Sequence, residues 1–125
     1  MDTVARKVLI VDDNAGLRKL IRLTLKTAGF QLLEAENGDD ALRMTKSHLP
    51  DFVLLDVMMP GSMDGYQVCS AIKNDPSLRH VRVFILSARA QQADLDAGRQ
   101  AGADHYLVKP FSPVELLKLV QSYGR

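Results

Sequence analysis

Five polar residues of the sequence each follow a short apolar run, and together they offer three carboxylates, one hydroxyl and one ammonium group. They are Asp12, Asp13, Asp56, Ser87 and Lys109. Carboxylates held close together repel one another unless one is protonated or a cation lies among them. Carboxylate oxygens with access to water are ligands that Mg²⁺ prefers. A lysine and a hydroxyl beside them can bind phosphate oxygens, so the set suits phosphoryl transfer to a carboxylate if the side chains meet.

The apolar runs have the composition of strands that are covered on both faces. Residues 8–11, 52–55 and 81–86 are rich in Val, Ile, Leu and Phe, and shorter runs occur at 32–33 and 106–108. Segments with helical periodicity separate these runs, and this alternation predicts an α/β fold with a parallel sheet. The second run has no such polar residue after it, which indicates an outer strand. We predict a doubly wound, flavodoxin-like sheet of five strands in the order 2-1-3-4-5, with five helices, which places the aspartates after strands one and three together.

Three of the helical segments carry clear start signals, and two carry well-defined apolar stripes. The start signals are Asp13 or Asn14 for the first helix, Asp64 with Gln67 for the third, and Ser112, Pro113 and Glu115 for the fifth. The predicted buried stripes are Leu17, Leu20, Ile21, Leu25 and Ala28 in the first helix, with Arg18, Arg22 and Lys26 opposite, and Val114, Leu117 and Val120 in the fifth. The fourth helix, at about residues 91–100, offers mainly alanines and should be held weakly.

Composition places the chain among soluble single-domain proteins. It has 125 residues, of which 46% are hydrophobic and 25% charged, with a net charge of +1. This balance argues against disorder and against direct contact with nucleic acid. The apolar runs are too short to cross a bilayer, and the lone Cys69 excludes an internal disulfide framework. We predict one domain over residues 1–125, with its core at about 7–122, located in the cytoplasm without membrane insertion.

Several motifs occur along the chain in the order typical of a known family. They are Leu9-Ile10-Val11-Asp12-Asp13-Asn14, Leu54-Leu55-Asp56-Val57-Met58-Met59-Pro60, Asp64-Gly65, Leu86-Ser87-Ala88, Gly102-Ala103-Asp104 and Tyr106-Leu107-Val108-Lys109-Pro110-Phe111. Each motif is weak alone, but their joint order is highly specific and covers nearly the whole chain. On these residues the sequence resembles the CheY-like receiver domain of two-component response regulators.

The resemblance implies a role for each matching residue of the acidic cluster. Asp56 would be the phosphoacceptor, taking a phosphoryl group from a histidine kinase or a histidine phosphotransfer protein. Asp12 and Asp13 would hold Mg²⁺ with Asp56 and the backbone carbonyl of Met58. Lys109 would pair with the phosphoryl group. Such a domain catalyses its own phosphorylation and dephosphorylation, so it would be a signalling switch rather than a metabolic enzyme.

The resemblance also implies how a signal would leave the site. Ser87 would be the switch hydroxyl, Tyr106 the aromatic residue that turns inward with it, and the bond from Lys109 to Pro110 would be cis. The altered surface would be the face made by helix 4, strand 5 and helix 5, which would bind a downstream protein or a second phosphorylated copy. Met58 and Arg89, each two residues beyond a site residue, are expected to border the site and tune the access of water.

One loop departs from the family pattern. Gly61, Ser62 and Met63 separate Pro60 from Asp64, one residue more than is usual. Loops accommodate such additions at small cost, so the loop should leave Asp56 and Met58 in place while changing access for a partner or water.

Three other functions use related folds or related chemistry. A phosphorylation-independent docking module could keep the same fold. A flavin or nucleotide binder is disfavoured because no GxGxxG or Walker motif occurs. A phosphatase that forms an aspartyl phosphate would usually carry a second acid where Met58 stands. The sequence leaves open the cognate kinase, the output pathway, the lifetime of the phosphoryl group, the oligomeric state, and whether this is a stand-alone regulator or the receiver of a longer protein.

Overall fold

The computed structural model describes residues 6–123 as alternating strands and helices. The strands are β1 (Lys7–Val11), β2 (Gln31–Ala35), β3 (Phe52–Asp56), β4 (Arg82–Ser87) and β5 (His105–Val108). The helices are α1 (Ala15–Lys26), α2 (Gly38–His48), α3 (Gly65–Lys73), α4 (Gln92–Gln100) and α5 (Pro113–Ser122), with a short 3-10 helix at Pro76–Leu78. No helix among the described residues is long and apolar enough to cross a membrane.

The five strands form one parallel sheet in the order β2-β1-β3-β4-β5, which confirms the predicted fold class. In this order β1 and β3 are hydrogen-bonded neighbours, with Val11 opposite Leu55 at their carboxyl ends. Asp12 therefore leaves β1 beside Asp56, the last residue of β3. The topology alone brings two of the predicted site residues to one edge of the sheet.

Apolar side chains cover both faces of the sheet, as the unalternating runs predict. One core includes Val8, Ile10, Leu54, Phe84 and Leu86 of the strands, with Ile21 and Leu25 of α1 and Leu116 and Val120 of α5. The other includes Leu9, Val53, Leu55, Val83 and Ile85, with Ala41 of α2 and Val68 and Ile72 of α3. The sheet is fixed from both sides, so its carboxyl edge is a firm base for loops.

The predicted start signals cap the N-termini of α1, α3 and α5. Asn14, rather than Asp13, caps α1, because its side-chain oxygen accepts a hydrogen bond from the Leu17 backbone N–H at 3.0 Å. Capping boxes close the starts of α3, through Asp64 and Gln67, and of α5, through Ser112 and Glu115. Asp13 is therefore not used as a cap, and its carboxylate is exposed.

Three residues of the predicted buried stripes are exposed instead. Ala28 lies beyond the end of α1, which the structure places at Lys26, so it is not part of the helical stripe. Leu20 of α1 is 48% exposed and Val114 of α5 is 56% exposed. The helices turn roughly 100° per residue, so Leu20 lies roughly 100–140° around α1 from Ile21 and Leu25, which are the residues that contact the sheet. In α5 the buried pair is Leu116 and Val120, and Val114 falls outside that stripe.

Candidate functional site

Three carboxylates meet at the carboxyl edge of the sheet. Asp12, Asp13 and Asp56 each offer one oxygen within 4.8 Å of the others. Asp12 and Asp56 are buried, whereas Asp13 is exposed. The group thus has a firm base inside the protein and an opening to water, which is the arrangement that a hydrated divalent cation requires.

Lys109 reaches the same cluster from the end of β5. Its Nζ lies 2.9 Å from Asp12 Oδ2 and 3.4 Å from Asp56 Oδ1. The Lys109 backbone N–H donates to the carbonyl of Ser87 at 2.7 Å, and the bond to Pro110 is cis, as the resemblance implies. The ends of β4 and β5 are therefore joined where the lysine leaves the sheet.

The charges of the cluster are coupled. Burial, followed by the neighbouring Asp12 carboxylate, raises the pKa of Asp56 above its ordinary value, and the Lys109 ammonium offsets part of this effect. Burial by itself would lower the pKa of Lys109, but its hydrogen bond to Asp12 and the charge of Asp56 outweigh burial and raise that pKa. Without a cation, the lysine supplies the positive charge that lets these carboxylates stay together.

Ser87 and Tyr106 are linked through Arg89, in the connection between β4 and α4. The buried Ser87 Oγ accepts a hydrogen bond from the Arg89 backbone N–H at 3.0 Å. The Tyr106 hydroxyl donates to the Arg89 carbonyl at 3.0 Å and lies 3.2 Å from the hydroxyl of Tyr66. Tyr66, on α3, also donates to the carbonyl of Asp94 on α4 at 3.2 Å. Any movement of the Ser87 hydroxyl away from Arg89 would disturb this chain of contacts.

Met58 and Arg89 lie beside one another in the loops that follow β3 and β4. Met58 is 57% exposed, and its sulfur is 3.0 Å from an Arg89 guanidinium nitrogen. A second nitrogen of Arg89 is 3.8 Å from the Asp94 carboxylate. The two side chains join the loop that follows Asp56 to the loop that follows Ser87.

The extra residue after Pro60 is accommodated against the start of α2. The Ser62 hydroxyl lies 3.1 Å from an Asp39 carboxylate oxygen, and Met63 packs on the core beside Gly38. A Cβ on Gly38 would stand 2.8 Å from the Met63 carbonyl oxygen, so glycine is what permits this approach. Asp56 stays paired within β3, so the longer loop has not displaced it.

Two residues with contacts at the site do not stand out in the sequence. Arg18 falls opposite the apolar stripe of α1, yet its side chain is only 13% exposed and donates to the backbone carbonyl of Asp12. Tyr66 follows a helix start and carries no motif, yet its hydroxyl contacts Tyr106. The only sequence signal for Arg18 is Glu34, an acidic residue within β2, which needs a cationic partner at that depth.

The donor set fits a small hard cation better than a soft one. It consists of carboxylate oxygens alone, with no histidine or cysteine among the three clustered residues. Mg²⁺ binds through one or two carboxylates while keeping several waters, and the exposed side of Asp13 leaves room for them. An ammonium group and a hydroxyl at the same edge add two donors for an anionic ligand. These features together favour a phosphate group next to a cation.

Comparison with known proteins identifies relatives of the chain. Residues 8–121 match the response regulator receiver domain. The probable transcriptional regulator ycf27 of Guillardia theta is 44% identical over 110 residues, covering 88% of this chain and 42% of its own length. The phosphate regulon transcriptional regulatory protein PhoB of Escherichia coli K12 is 38% identical over 122 residues, covering 98% of this chain and 53% of its own length. The chain thus spans about half the length of these curated relatives.

Solved structures agree with this match. The chemotaxis protein CheY4 of Vibrio cholerae superposes with a TM-score of 0.87 at 31% identity, covering 95% of this chain and 98% of that one. The BeF3-activated receiver domain of DrrB from Thermotoga maritima gives a TM-score of 0.85 at 29% identity, covering 96% and 97%. Sequence, fold and family match coincide over nearly all described residues, and the chain belongs to the response regulator receiver domains of two-component signalling.

Proposed function

We propose that this receiver accepts a phosphoryl group on Asp56 from the phosphohistidine of a histidine kinase or histidine phosphotransfer protein. The observation that carries the proposal is the meeting of three carboxylates with the Lys109 ammonium at one edge of the sheet. In the transfer, a carboxylate oxygen of Asp56 forms a bond to phosphorus, and the bond from phosphorus to the histidine nitrogen breaks. The histidine leaves with the electron pair of that bond.

The other residues would position and neutralise charge rather than form bonds. Asp12, Asp13 and Asp56 would hold Mg²⁺, with the backbone carbonyl of Met58 as a further ligand. Bound there, Mg²⁺ would supply charge neutralisation for phosphate oxygens. Lys109, which bonds Asp12 in this structure, is within reach of Asp56 and would pair with a phosphoryl oxygen as a point charge.

The output would follow from a rearrangement around Ser87. A phosphoryl group on Asp56 offers the Ser87 hydroxyl a charged acceptor, which competes with its present bond from Arg89. Because Arg89 also holds Tyr106, this competition would bias the connection to α4 and alter the face formed by α4, β5 and α5. That face would bind a downstream protein, or a second phosphorylated copy, in the cytoplasm.

Nucleic-acid binding is not proposed for this chain. The curated relatives are named as transcriptional regulators, but the chain aligns with about half of their length. A net charge of +1 gives no overall basic excess that would favour nucleic acid. We propose that any DNA contact in such a pathway lies with a partner or with a further segment.

Labelling by a small-molecule phosphodonor tests the proposal directly. The chain is incubated with acetyl phosphate or phosphoramidate and Mg²⁺, and the phosphorylated fraction is measured by mass spectrometry. The parent chain should gain one phosphoryl group, and Asp56→Asn should gain none. Asp96→Asn, which changes an exposed carboxylate on α4, is the control and should label like the parent.

The alternative of a phosphorylation-independent docking module predicts different results. Such a module would show no Mg²⁺-dependent labelling in any variant. Labelling of Asp56→Asn to the level of the parent chain would show that another residue accepts the group, and would end the assignment of Asp56.

A further inference from the structure

Arg18 is an arginine that the fold largely buries beside the acidic cluster. Its side chain, on α1, is 13% exposed. One guanidinium nitrogen donates to the backbone carbonyl of Asp12, and Nε donates to Glu34 of β2 at 3.0 Å. Arginine keeps its charge in proteins, so at this depth it requires such partners. Glu34 is the charged partner of Arg18, and the bond to the Asp12 carbonyl is a second contact that points toward the acidic cluster.

Arg22 provides a natural comparison one turn further along α1. It donates to the other carboxylate oxygen of Glu34 at 2.6 Å, and its side chain is 40% exposed. Partial burial would raise the pKa of Glu34, but the bonds from Arg22 and Arg18 outweigh burial and lower that pKa. Both arginines therefore share one charged partner. Among the bonds of residues 6–123, Arg18 reaches the Asp12 carbonyl and Arg22 does not.

The Asp12 carbonyl belongs to the peptide group that joins the two aspartates of the cluster. A peptide group is planar, so fixing its oxygen fixes the direction in which the chain enters Asp13. The Asp12 N–H is also fixed, since it donates to the Ala35 carbonyl at 3.2 Å. Within the described residues 6–123, the exposed Asp13 carboxylate has no hydrogen-bond partner, so the backbone alone sets the direction in which this side chain leaves the chain.

We infer that Arg18 is a positioning residue of the cation site, which holds the peptide between Asp12 and Asp13 so that the Asp13 carboxylate meets the other two. This inference rests on the proposed function, because it requires the cluster to bind a divalent cation. Electrostatics alone predicts the opposite effect for Arg18. Removing a positive charge close to three carboxylates would strengthen the binding of a cation.

The sign of the change in Mg²⁺ affinity separates the two effects. The dissociation constant for MgCl₂ is measured by ¹H–¹⁵N NMR titration of the parent chain, Arg18→Gln and Arg22→Gln. Each substitution removes one positive charge and one bond to Glu34, but only the first releases the Asp12 carbonyl. Arg18→Gln should weaken binding about tenfold, the scale seen when groups that orient metal ligands are removed. Arg22→Gln should leave affinity unchanged or slightly increased.

Every outcome of this experiment counts for or against the inference. Equal affinities of the two variants, or tighter binding by Arg18→Gln, would overturn it while leaving the proposed function intact. A parent chain that binds no Mg²⁺ would overturn both. Thermal unfolding shows whether each variant is folded. If Arg18→Gln is not, Arg18→Lys replaces it, because lysine keeps the charge facing Glu34 but lacks the planar fork that reaches two acceptors at once. Unchanged affinity in Arg18→Lys would then contradict the role.

Discussion

Both carboxylate oxygens of Asp12 already accept a hydrogen bond within the protein. Oδ1 accepts from the Asn14 backbone N–H at 2.8 Å, and Oδ2 accepts from Lys109 Nζ at 2.9 Å. A cation that uses Asp12 would share an oxygen with one of these donors or displace it. Displacement of Lys109 would release the ammonium group toward Asp56, 3.4 Å away in this structure. The lysine thus holds the carboxylates together without the cation, and a cation that displaced it would leave its ammonium group available to an anionic ligand.

We predict that Met58 and Arg89 slow the loss of the phosphoryl group. Their contact joins the loops after Asp56 and Ser87, and we expect it to limit the access of water to a phosphorylated Asp56. Replacing both by alanine should speed loss of the phosphoryl group roughly fivefold, equivalent to ~1 kcal/mol of activation free energy. The measurement is the decay of labelled protein after removal of the phosphodonor. Lys118→Ala, on α5, serves as the control. A double variant that decays at the parent rate would show that these side chains do not limit water.

Single residues also show what a sequence can and cannot predict about a site. The aspartates, Ser87 and Lys109 are predictable because each is polar where an apolar strand ends, and strand order brings those ends together. Arg18 is not predictable in the same way, because helical periodicity places it on the polar face of α1. Its burial depends on Glu34 of the neighbouring strand, and such a pairing between elements leaves no local pattern.

At the scale of elements, α4 is attached to the sheet through small contacts. Gly98 is its one buried residue in the described structure, and the Tyr106 ring lies directly over it. The alanines predicted for its apolar face bury little area, as expected for weak packing. The hydroxyl of Tyr66 adds a hydrogen bond to the Asp94 carbonyl from the side of α3. A change in the position of the Tyr106 side chain would therefore change the packing of α4 against the sheet.

The contact between Gly98 and Tyr106 can be tested by a double-mutant cycle. A Cβ at position 98 would stand 2.7 Å from Cδ2 of Tyr106, so Gly98→Ala should lower the free energy of unfolding by ~1–2 kcal/mol. In a Tyr106→Ala background the clash is gone, and the same change should stabilise by up to ~1 kcal/mol because alanine favours helix. Urea unfolding measures both. Equal effects in the two backgrounds would mean that Tyr106 does not pack on α4 in this way.

Elements also differ in how well sequence predicts them. Capping boxes at Asp64 and Ser112 are local, and both occur as predicted. Buried stripes depend on which side of a helix meets the sheet, and here the prediction was wrong for Leu20 and Val114. Leucine and valine have no polar group that forces either outcome, so the docking angle of the whole helix decides their exposure.

At the scale of the whole molecule, the acidic site lowers the free energy of unfolding, and the two apolar cores must offset this loss. Asp56 places an ionisable group at the end of a strand whose five residues are all buried. Burial and the Asp12 carboxylate raise its pKa, which means that the folded protein disfavours the charged form. The two cores flanking the sheet supply the stability that makes this tolerable. Without a cation, we expect the charged Asp56 carboxylate to make the chain less stable than the same fold with a neutral group at this position.

Asp56→Asn should therefore stabilise the chain in the absence of divalent cations. With EDTA at pH 7, the variant should unfold with a free energy ~1 kcal/mol above that of the parent, because a buried charge is replaced by a neutral group of the same shape. Since the pKa of Asp56 is raised in the folded state, the cost of its charge is present above that pKa. The difference should shrink as the pH falls through this pKa and Asp56 becomes neutral.

Magnesium should reverse the order of the two proteins. Saturating Mg²⁺ stabilises a folded state that binds it, and the parent chain retains one more anionic ligand than the variant. Urea unfolding at pH 7 and pH 4, with EDTA or with Mg²⁺, measures all four conditions, and Asp96→Asn reports the effect of removing an exposed charge. An Asp56→Asn variant that is less stable than the parent at pH 7 in EDTA would contradict the view that the charged Asp56 carboxylate destabilises the folded state. Stabilisation by Asn that persists unchanged at saturating Mg²⁺ would instead show that the cation does not use this carboxylate.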